Sequence, residues 1–338
     1  MTTYSIDGNL YLIRWGNQFI VLLMIEGYKI KPFVPCGRKQ TLSILVRYFQ
    51  KHRDVIDEVM LWLNTDVESD IDYINDLAKK DSLFKVYTIP EGYKFYHKGE
   101  STPQDRARND YGPLQWNTGR FFEYCVDPST IYIRFDDDIV YIEDDFFQNI
   151  VRFRLEHPEY WAVFGNIWNN AIISYLHQQE GNIGFDYGEC STWCMDDVGW
   201  GNGEFAEYIH EILLDKVKNK SIKDLYLKGG AGNEDVSWNG FGYELTSGYR
   251  FSISNFAIFG SDYAPFDGKF EDLDEEIWLT EKIPLLTGKK NIICPDALVS
   301  HFTFSPHQKP HIFSNTDLLK RYDRLSKEEL SKGYYNGL

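Results

Sequence analysis

Three consecutive carboxylates, Asp136, Asp137 and Asp138, stand in the run IYIRFDDDIVYIEDD at residues 131 to 145, directly behind a stretch of mostly apolar, β-prone residues. Neighbouring carboxylates repel one another, and each resists burial unless a cation neutralises it. Hard oxygen donors on a turn at a strand end suit Mg²⁺ or Mn²⁺ shared with substrate phosphates. A plainer reading is a solvated acidic turn that stabilises the start of the next helix. It fits the second acidic group, Glu143, Asp144 and Asp145, better than a metal does. It fits Asp136 to Asp138 poorly, because these lie directly on a hydrophobic strand.

The elements that must position these carboxylates follow from periodicity. YKIKPFVPCG reads as a strand ending in a Pro and Gly turn, and TLSILVRYFQKH as a helix with Leu42, Leu45, Tyr48 and Phe49 on one face. IDEVMLWLNT is a buried strand, ESDIDYINDLAKK a helix with Ile71, Ile74 and Leu77 inward, and LFKVYTIP a third strand. This alternation predicts a parallel sheet with crossover helices. Ligands of such sheets sit outside the carboxyl ends of the strands. Pro35, Cys36, Gly37 and Arg38, then Asn64, Thr65 and Asp66, and finally Asp136 to Asp138 after STIYIRF all fall at such ends, so three segments are expected on one rim.

Between residues 160 and 260 the texture changes: Trp161, Trp168, Trp193, Trp200 and Trp238 stand among Gly, Asn and Tyr around one clear helix, EFAEYIHEILLDKVK. KGGAGNEDVSWNG reads as loop, YRFSISNFAIFG as a strand pair and DEEIWLTEKIPLLTG as a helix. NIICPDALVSHFTF reads as a strand, a turn at Pro295 and a further strand, and SKEELSKGYYNGL as a frayed end.

Charge and composition narrow the partners. With 35 Lys+Arg against 51 Asp+Glu the formal net charge is −16, which disfavours a nucleic-acid partner without excluding a local basic groove. Hydrophobic residues at 43% supply an ample core. FIVLLMI near the N-terminus is too short to span a bilayer and no basic start precedes it, so no membrane span and a cytoplasmic location are the simplest expectation. The five cysteines, an odd and scattered set, make no disulfide framework, and Cys190 and Cys194 lack the second pair that a zinc site needs.

YIRFDDD behind a parallel sheet resembles the D-x-D motif of GT-A fold glycosyltransferases, with Asp136 and Asp138 as the two acidic positions. In the inverting members of that family an acidic pair opens a helix, and a strand and a histidine follow. DEEIWLTEKIPLLTGKKNIICPDALVSHFTF looks like that arrangement, with Glu275 and Glu276 at the pair and His301 at the histidine, although Glu stands where the family usually has Asp. FVPCGRKQTLSILVRYF and EVMLWLNT look like its uridine-binding strands and turns, and Arg120 in NTGRFFEY occupies the place of a basic residue ahead of the D-x-D strand. The resemblance spans roughly residues 28 to 155 and 255 to 305.

It implies an α/β, GT-A-like (Rossmann-like), mostly parallel sheet flanked by helices in a single domain over residues 1–338: a nucleotide-sugar-binding half at about 18–155, an elaborated acceptor-binding half at about 156–310 and a C-terminal extension at 311–338. It further implies Mn²⁺ or Mg²⁺ held by Asp136, Asp138 and His301. A UDP-sugar donor would lie against Pro35, Cys36, Gly37, Arg38, Asn64, Thr65, Arg120, Asp136 and Asp137, and Glu276 or Glu275 would be the base for a hydroxyl of a glycan acceptor.

Each role has a plainer reading. His301 alone would be a satisfied strand-end histidine, and the glutamates would be helix-terminal charges. Glu234 and Asp235 in NEDVSW form a competing acidic pair that no strand and histidine follow. Tryptophans are usually core, yet their faces also stack on sugars, so one or two of Trp193, Trp200 and Trp238 are expected in the acceptor site. A sugar nucleotidylyltransferase would open with a Gly-rich loop, whereas PCGRKQT has one glycine. Acidic clusters and tryptophans would equally suit a non-catalytic carbohydrate- or divalent-ion-binding module. A transferase acting on a hydroxylated base in viral DNA would need the same donor chemistry, and the net charge argues against it.

Overall fold

In the computed structural model, which describes residues 2–5, 11–15, 18–22, 27–100, 113–266 and 275–335, the chain opens with an antiparallel meander of β1 (Thr2–Ser5), β2 (Tyr11–Trp15) and β3 (Gln18–Leu22). A ten-stranded sheet follows. It contains β4 (Lys29–Cys36), β5 (Val59–Leu63), β6 (Phe84–Tyr87), β7 (Thr130–Phe135), β8 (Ile139–Ile142), β9 (Val163–Trp168), β10 (Val236–Trp238), β11 (Tyr243–Leu245), β12 (Asn255–Phe259) and β13 (Ile292–His301). The order is β10-β11-β13-β9-β12-β7-β4-β5-β6, with β8 paired on β13.

β4 is parallel to β5 and β7, β5 to β6, and β9 to β13, while β12 runs antiparallel between β7 and β9. The carboxyl ends of β4, β5, β7, β9 and β13 therefore share one rim, as the alternation of elements in the sequence requires. β7 and β9 are buried at every position, the pattern of strands covered on both faces. The helix Lys39–Lys51 covers the sheet with Leu42, Leu45, Tyr48 and Phe49 buried. In Glu68–Lys80 only Ile74 is fully buried, and Ile71 and Leu77 pack partly. The result is the expected α/β class, a mixed and mostly parallel sheet flanked by helices.

Gly165 on β9 has a packing reason. A Cβ there would lie 2.4 Å from Asn255 Oδ1 on β12, and Asn255 Nδ2 donates to the Arg134 carbonyl on β7 at 2.8 Å. The missing side chain lets an asparagine tie β12 to β7 immediately below the triple aspartate.

Several elements differ from the sequence expectation. YRFSISNFAIFG holds one strand, β12, rather than a pair: residues 250 to 254 form no strand, and the Ser254 carbonyl accepts from Asp136 N–H in the turn after β7. NIICPDALVSH is one strand through Pro295: the register against β9 shifts between Ile293 and Leu298, and this bulge absorbs the proline. Trp238, placed in a loop by the sequence, lies on the short strand β10. The segment expected to fray is helical to Tyr335, in Leu318–Tyr335, anchored by buried Leu318 and Tyr322 and by Lys51 on Glu329 at 2.6 Å. Residues 336–338 lie outside the described residues. All five cysteines are buried free thiols. Among the described residues no helix is long and apolar enough to cross a membrane.

Candidate active site

The turn after β7 delivers the acidic cluster to the rim. Asp136 N–H donates to the Ser254 carbonyl and Ile139 N–H to the Asp136 carbonyl, so the turn is tight and its three carboxylates splay apart. Asp137 turns toward the end of β4, accepting from Gly37 N–H and from Arg38 Nε, both at 2.7 Å. Asp138 turns toward β13: His301 Nε2 donates to its Oδ1 at 2.8 Å and Thr303 Oγ1 to its Oδ2 at 3.1 Å. Burial pushes the Asp138 carboxyl upward, but Arg38 and His301 outweigh it and hold Asp138 below the usual carboxylate range.

Asp136, Asp138 and His301 each offer one ligand atom, and these atoms lie within 4.8 Å of one another. Donors around one small divalent ion at roughly 2.0–2.2 Å lie at most about 4.4 Å apart, so side-chain shifts of a few tenths of an ångström bring all three onto one ion. Two carboxylates with an imidazole suit Mn²⁺, and less well Mg²⁺, which prefers oxygen alone.

His301 is held from behind. Asn169, buried and in the left-handed region at φ 65°, donates from Nδ2 to the carbonyls of His301 (3.0 Å) and Phe302 (3.2 Å). Asparagine tolerates this conformation better than most residues. Phe302 N–H closes back on the Asp138 carbonyl at 2.8 Å. The strand end and the acidic turn are thereby one rigid unit.

Two arginines that the sequence reading did not single out complete the arrangement. Arg134, on β7, bonds Asp136 Oδ1 through Nε (3.1 Å) and Nη2 (3.0 Å), and grips both oxygens of Glu275 at 3.0 and 3.1 Å. It is 4% exposed, and its ion pairs are the reason a charged residue is tolerated in a wholly buried strand. An arginine two residues before a D-x-D was itself the available signal. Arg250 bonds Glu276 Oε2 at 2.5 Å. Glu275 and Glu276 open the helical segment Glu275–Ile277, which continues through a π turn, Trp278–Lys282, into Ile283–Thr287. Glu275 thus faces the acidic cluster, whereas Glu276 faces the loop around residue 194: burial and then the neighbouring Glu276 carboxylate push the Cys194 thiol up to about 12.

The other expected site residues divide. Pro35 and Cys36 end β4, and Asn64 and Thr65 follow β5 on the same rim, with Asn64 N–H on the Cys36 carbonyl at 3.2 Å and Asn64 Nδ2 on Thr118 Oγ1 at 2.9 Å. Arg120 stacks over Trp116, 4.2 Å from the ring centroid, at the end of Pro113–Arg120, a helix that packs against Glu275–Ile277. Trp193 is 48% exposed beside Cys194, and Trp200 packs at a tilt against His307, with ring centroids 4.5 Å apart, in the segment that follows His301. Trp238 sits elsewhere, on the outermost strand against Tyr243, which pairs with Ile293 at the opposite end of β13 from His301. Asp235 accepts from Thr192 Oγ1 at 3.0 Å and serves the loop's own structure, and Glu234 is exposed beside it.

No protein-family model and no curated protein matches the chain. Among solved structures it is similar to the mannosyltransferase PcManGT from Pyrobaculum calidifontis, solved with GDP-Man and Mn²⁺, at 12% identity and a TM-score of 0.39 over 92% of this chain and 77% of that one. It is also similar to residues 1–349 of TarS from S. aureus (12%, TM-score 0.38, 91% of this chain and 72% of that one). A third likeness is to 4-diphosphocytidyl-2C-methyl-D-erythritol synthase from Anaerococcus prevotii (12%, TM-score 0.39, 87% of this chain and 100% of that one). These likenesses are distant, and the chemistry of this chain rests on its own residues.

Proposed function

We propose that the protein is a cation-dependent glycosyltransferase, moving a hexosyl or pentosyl group from a UDP-sugar to a hydroxyl of a glycan acceptor with inversion. The observation that carries this reading is the convergence of Asp136, Asp138 and His301 on the rim that also carries the ends of β4 and β5. Mn²⁺ or Mg²⁺ bound by these three residues would supply Lewis-acid neutralisation of the departing diphosphate. Gly37 and Arg38 at the end of β4, Asp137 turned toward them from the end of β7, and Asn64 and Thr65 after β5 frame the nucleotide. Glu276 takes the proton of the attacking hydroxyl, a role open to a carboxylate because that proton leaves late in the displacement. Glu275 acts through Arg134 to fix Asp136. Trp193 and Trp200 offer apolar faces to the acceptor.

Incubation with a panel of nucleotide sugars and Mn²⁺, with and without chelator, tests the reaction class. Release of nucleoside diphosphate that the chelator stops is expected, and pyrophosphate release from a nucleoside triphosphate plus a sugar phosphate would instead make the protein a nucleotidylyltransferase. Anomeric configuration of the product by NMR tests inversion, and retention would rule out a single displacement.

A further inference from the structure

A carboxylate has about four acceptor directions, and in Asp138 protein donors occupy all four. Oδ2 accepts from Arg38 Nη1 (2.7 Å) and Thr303 Oγ1 (3.1 Å), and Oδ1 from Arg38 Nη2 (2.9 Å) and His301 Nε2 (2.8 Å). Nε of the same guanidinium reaches Asp137. A metal ion can therefore reach Asp138 only if one of these donors gives way. His301 is itself one of the three proposed ligands, and Asn169 holds its main-chain carbonyl in place. Arg38 is the donor with freedom to leave: its side chain is 40% exposed, against 1% for Asp138 and 6% for His301. It also lines an open cavity of about 280 Å³ shared with Gly37, Lys39, Thr41, Asp70 and Phe313. It carries a permanent positive charge that repels a divalent ion seeking the same oxygens.

We propose that Arg38 is a resident cation that closes the acidic cluster to a free metal ion and is drawn off the aspartates by the diphosphate of an arriving nucleotide. This rests on the reading of Asp136, Asp138 and His301 as a cation site. An Arg fork fits phosphate oxygens as well as it fits carboxylates, so Arg38 exchanges one set of anionic partners for another while the divalent ion replaces it at Asp138. Each ligand then removes an obstacle to the other, and metal and nucleotide bind with positive coupling.

The test follows free Mn²⁺ by its EPR signal in titrations of the wild-type protein, Arg38→Met and Arg38→Lys, each alone and with saturating UDP or GDP. Circular dichroism checks folding, and Arg38→Lys, which keeps the charge but loses the fork, carries the test should the methionine variant not fold. Arg38→Met is expected to bind Mn²⁺ alone at least about tenfold more tightly than wild type, with Arg38→Lys in between. In wild type a nucleoside diphosphate should raise Mn²⁺ affinity by about tenfold or more, and in Arg38→Met by much less. If both variants bind Mn²⁺ alone no more tightly than wild type, the closing role of Arg38 is wrong. If neither wild type nor variants take up Mn²⁺ under any condition, the cation site and the proposed function fall with it. Tighter Mn²⁺ binding by the variants with no nucleotide effect in wild type upholds the closing contact and overturns the exchange.

Discussion

The rim around β4, β7 and β13 and the half built from residues 160 to 260 treat ionisable side chains in opposite ways. On the rim, charges stand in pairs: Arg38 with Asp137 and Asp138, and Arg134 with Asp136 and Glu275. In the other half, His177 and His210 are buried as neutral rings, His177 between the side chains of Asn166 and Asn182, and His210 between the Tyr322 hydroxyl and the Phe302 carbonyl. Burial alone lowers His177 to about 3, and burial lowers His210 to about 4. Paired charges are groups for whose partners a charged ligand can compete. Neutral rings locked in polar networks are support.

The sharpest way to break this contrast is Asp138→Ala. It is expected to abolish cation-dependent nucleotide-sugar binding by calorimetry while the circular dichroism spectrum is kept, and full binding by the variant would reduce the acidic turn to structure. Next comes Glu276→Gln, which keeps the size of the side chain but removes the proton acceptor. Single-turnover rates should fall about 10²–10⁴-fold with donor affinity preserved. Glu275→Gln is the partner experiment: its expected effect is weaker metal binding through Arg134 and Asp136, and a dead Glu275→Gln beside an active Glu276→Gln would move the base by one residue.

The neutral histidines make a pH prediction. Their folded-state values lie below the ordinary histidine value of about 6.5, so the unfolded chain binds more protons and stability falls as pH drops from 6.5 toward 4. The slope is about 1.4 kcal/mol per pH unit for each ring. Denaturant unfolding between pH 7 and pH 5 measures it, and His177→Gln should flatten it by one proton. The smallest effect expected is at the acceptor side. Trp193→Ala should raise the acceptor KM about two- to tenfold with kcat little changed, in line with about 0.5–1.5 kcal/mol for an aromatic contact.

Much of the rim was legible in the sequence because it is built from local rules. Apolar runs with crossover helices specify parallel strands, parallel strands specify a shared carboxyl edge, and three aspartates at one such edge stand out against the strand behind them. Arg134 and Arg250 were not legible, because what makes them part of the site is pairing across 141 and 26 residues of sequence. The single strand through Pro295 was hidden for a related reason: a proline signals a turn unless a bulge absorbs it, and the bulge is set by the neighbouring β9. Trp238 read as loop from its Gly- and Asn-rich surroundings, and its pairing with Tyr243 on the neighbouring strand is what places it on β10.

The most direct test of the central claim is thermal unfolding of the wild-type protein with Mn²⁺, with a panel of nucleotide sugars, and with both. A ligand at 100 times its Kd stabilises the native state by about 2.7 kcal/mol. A clear rise in Tm is expected for at least one nucleotide sugar with Mn²⁺, a smaller or absent rise for either component alone, and loss of the joint effect in Asp136→Ala. A Tm that no combination moves, or a nucleotide-sugar effect equally large in chelator, would contradict the claim.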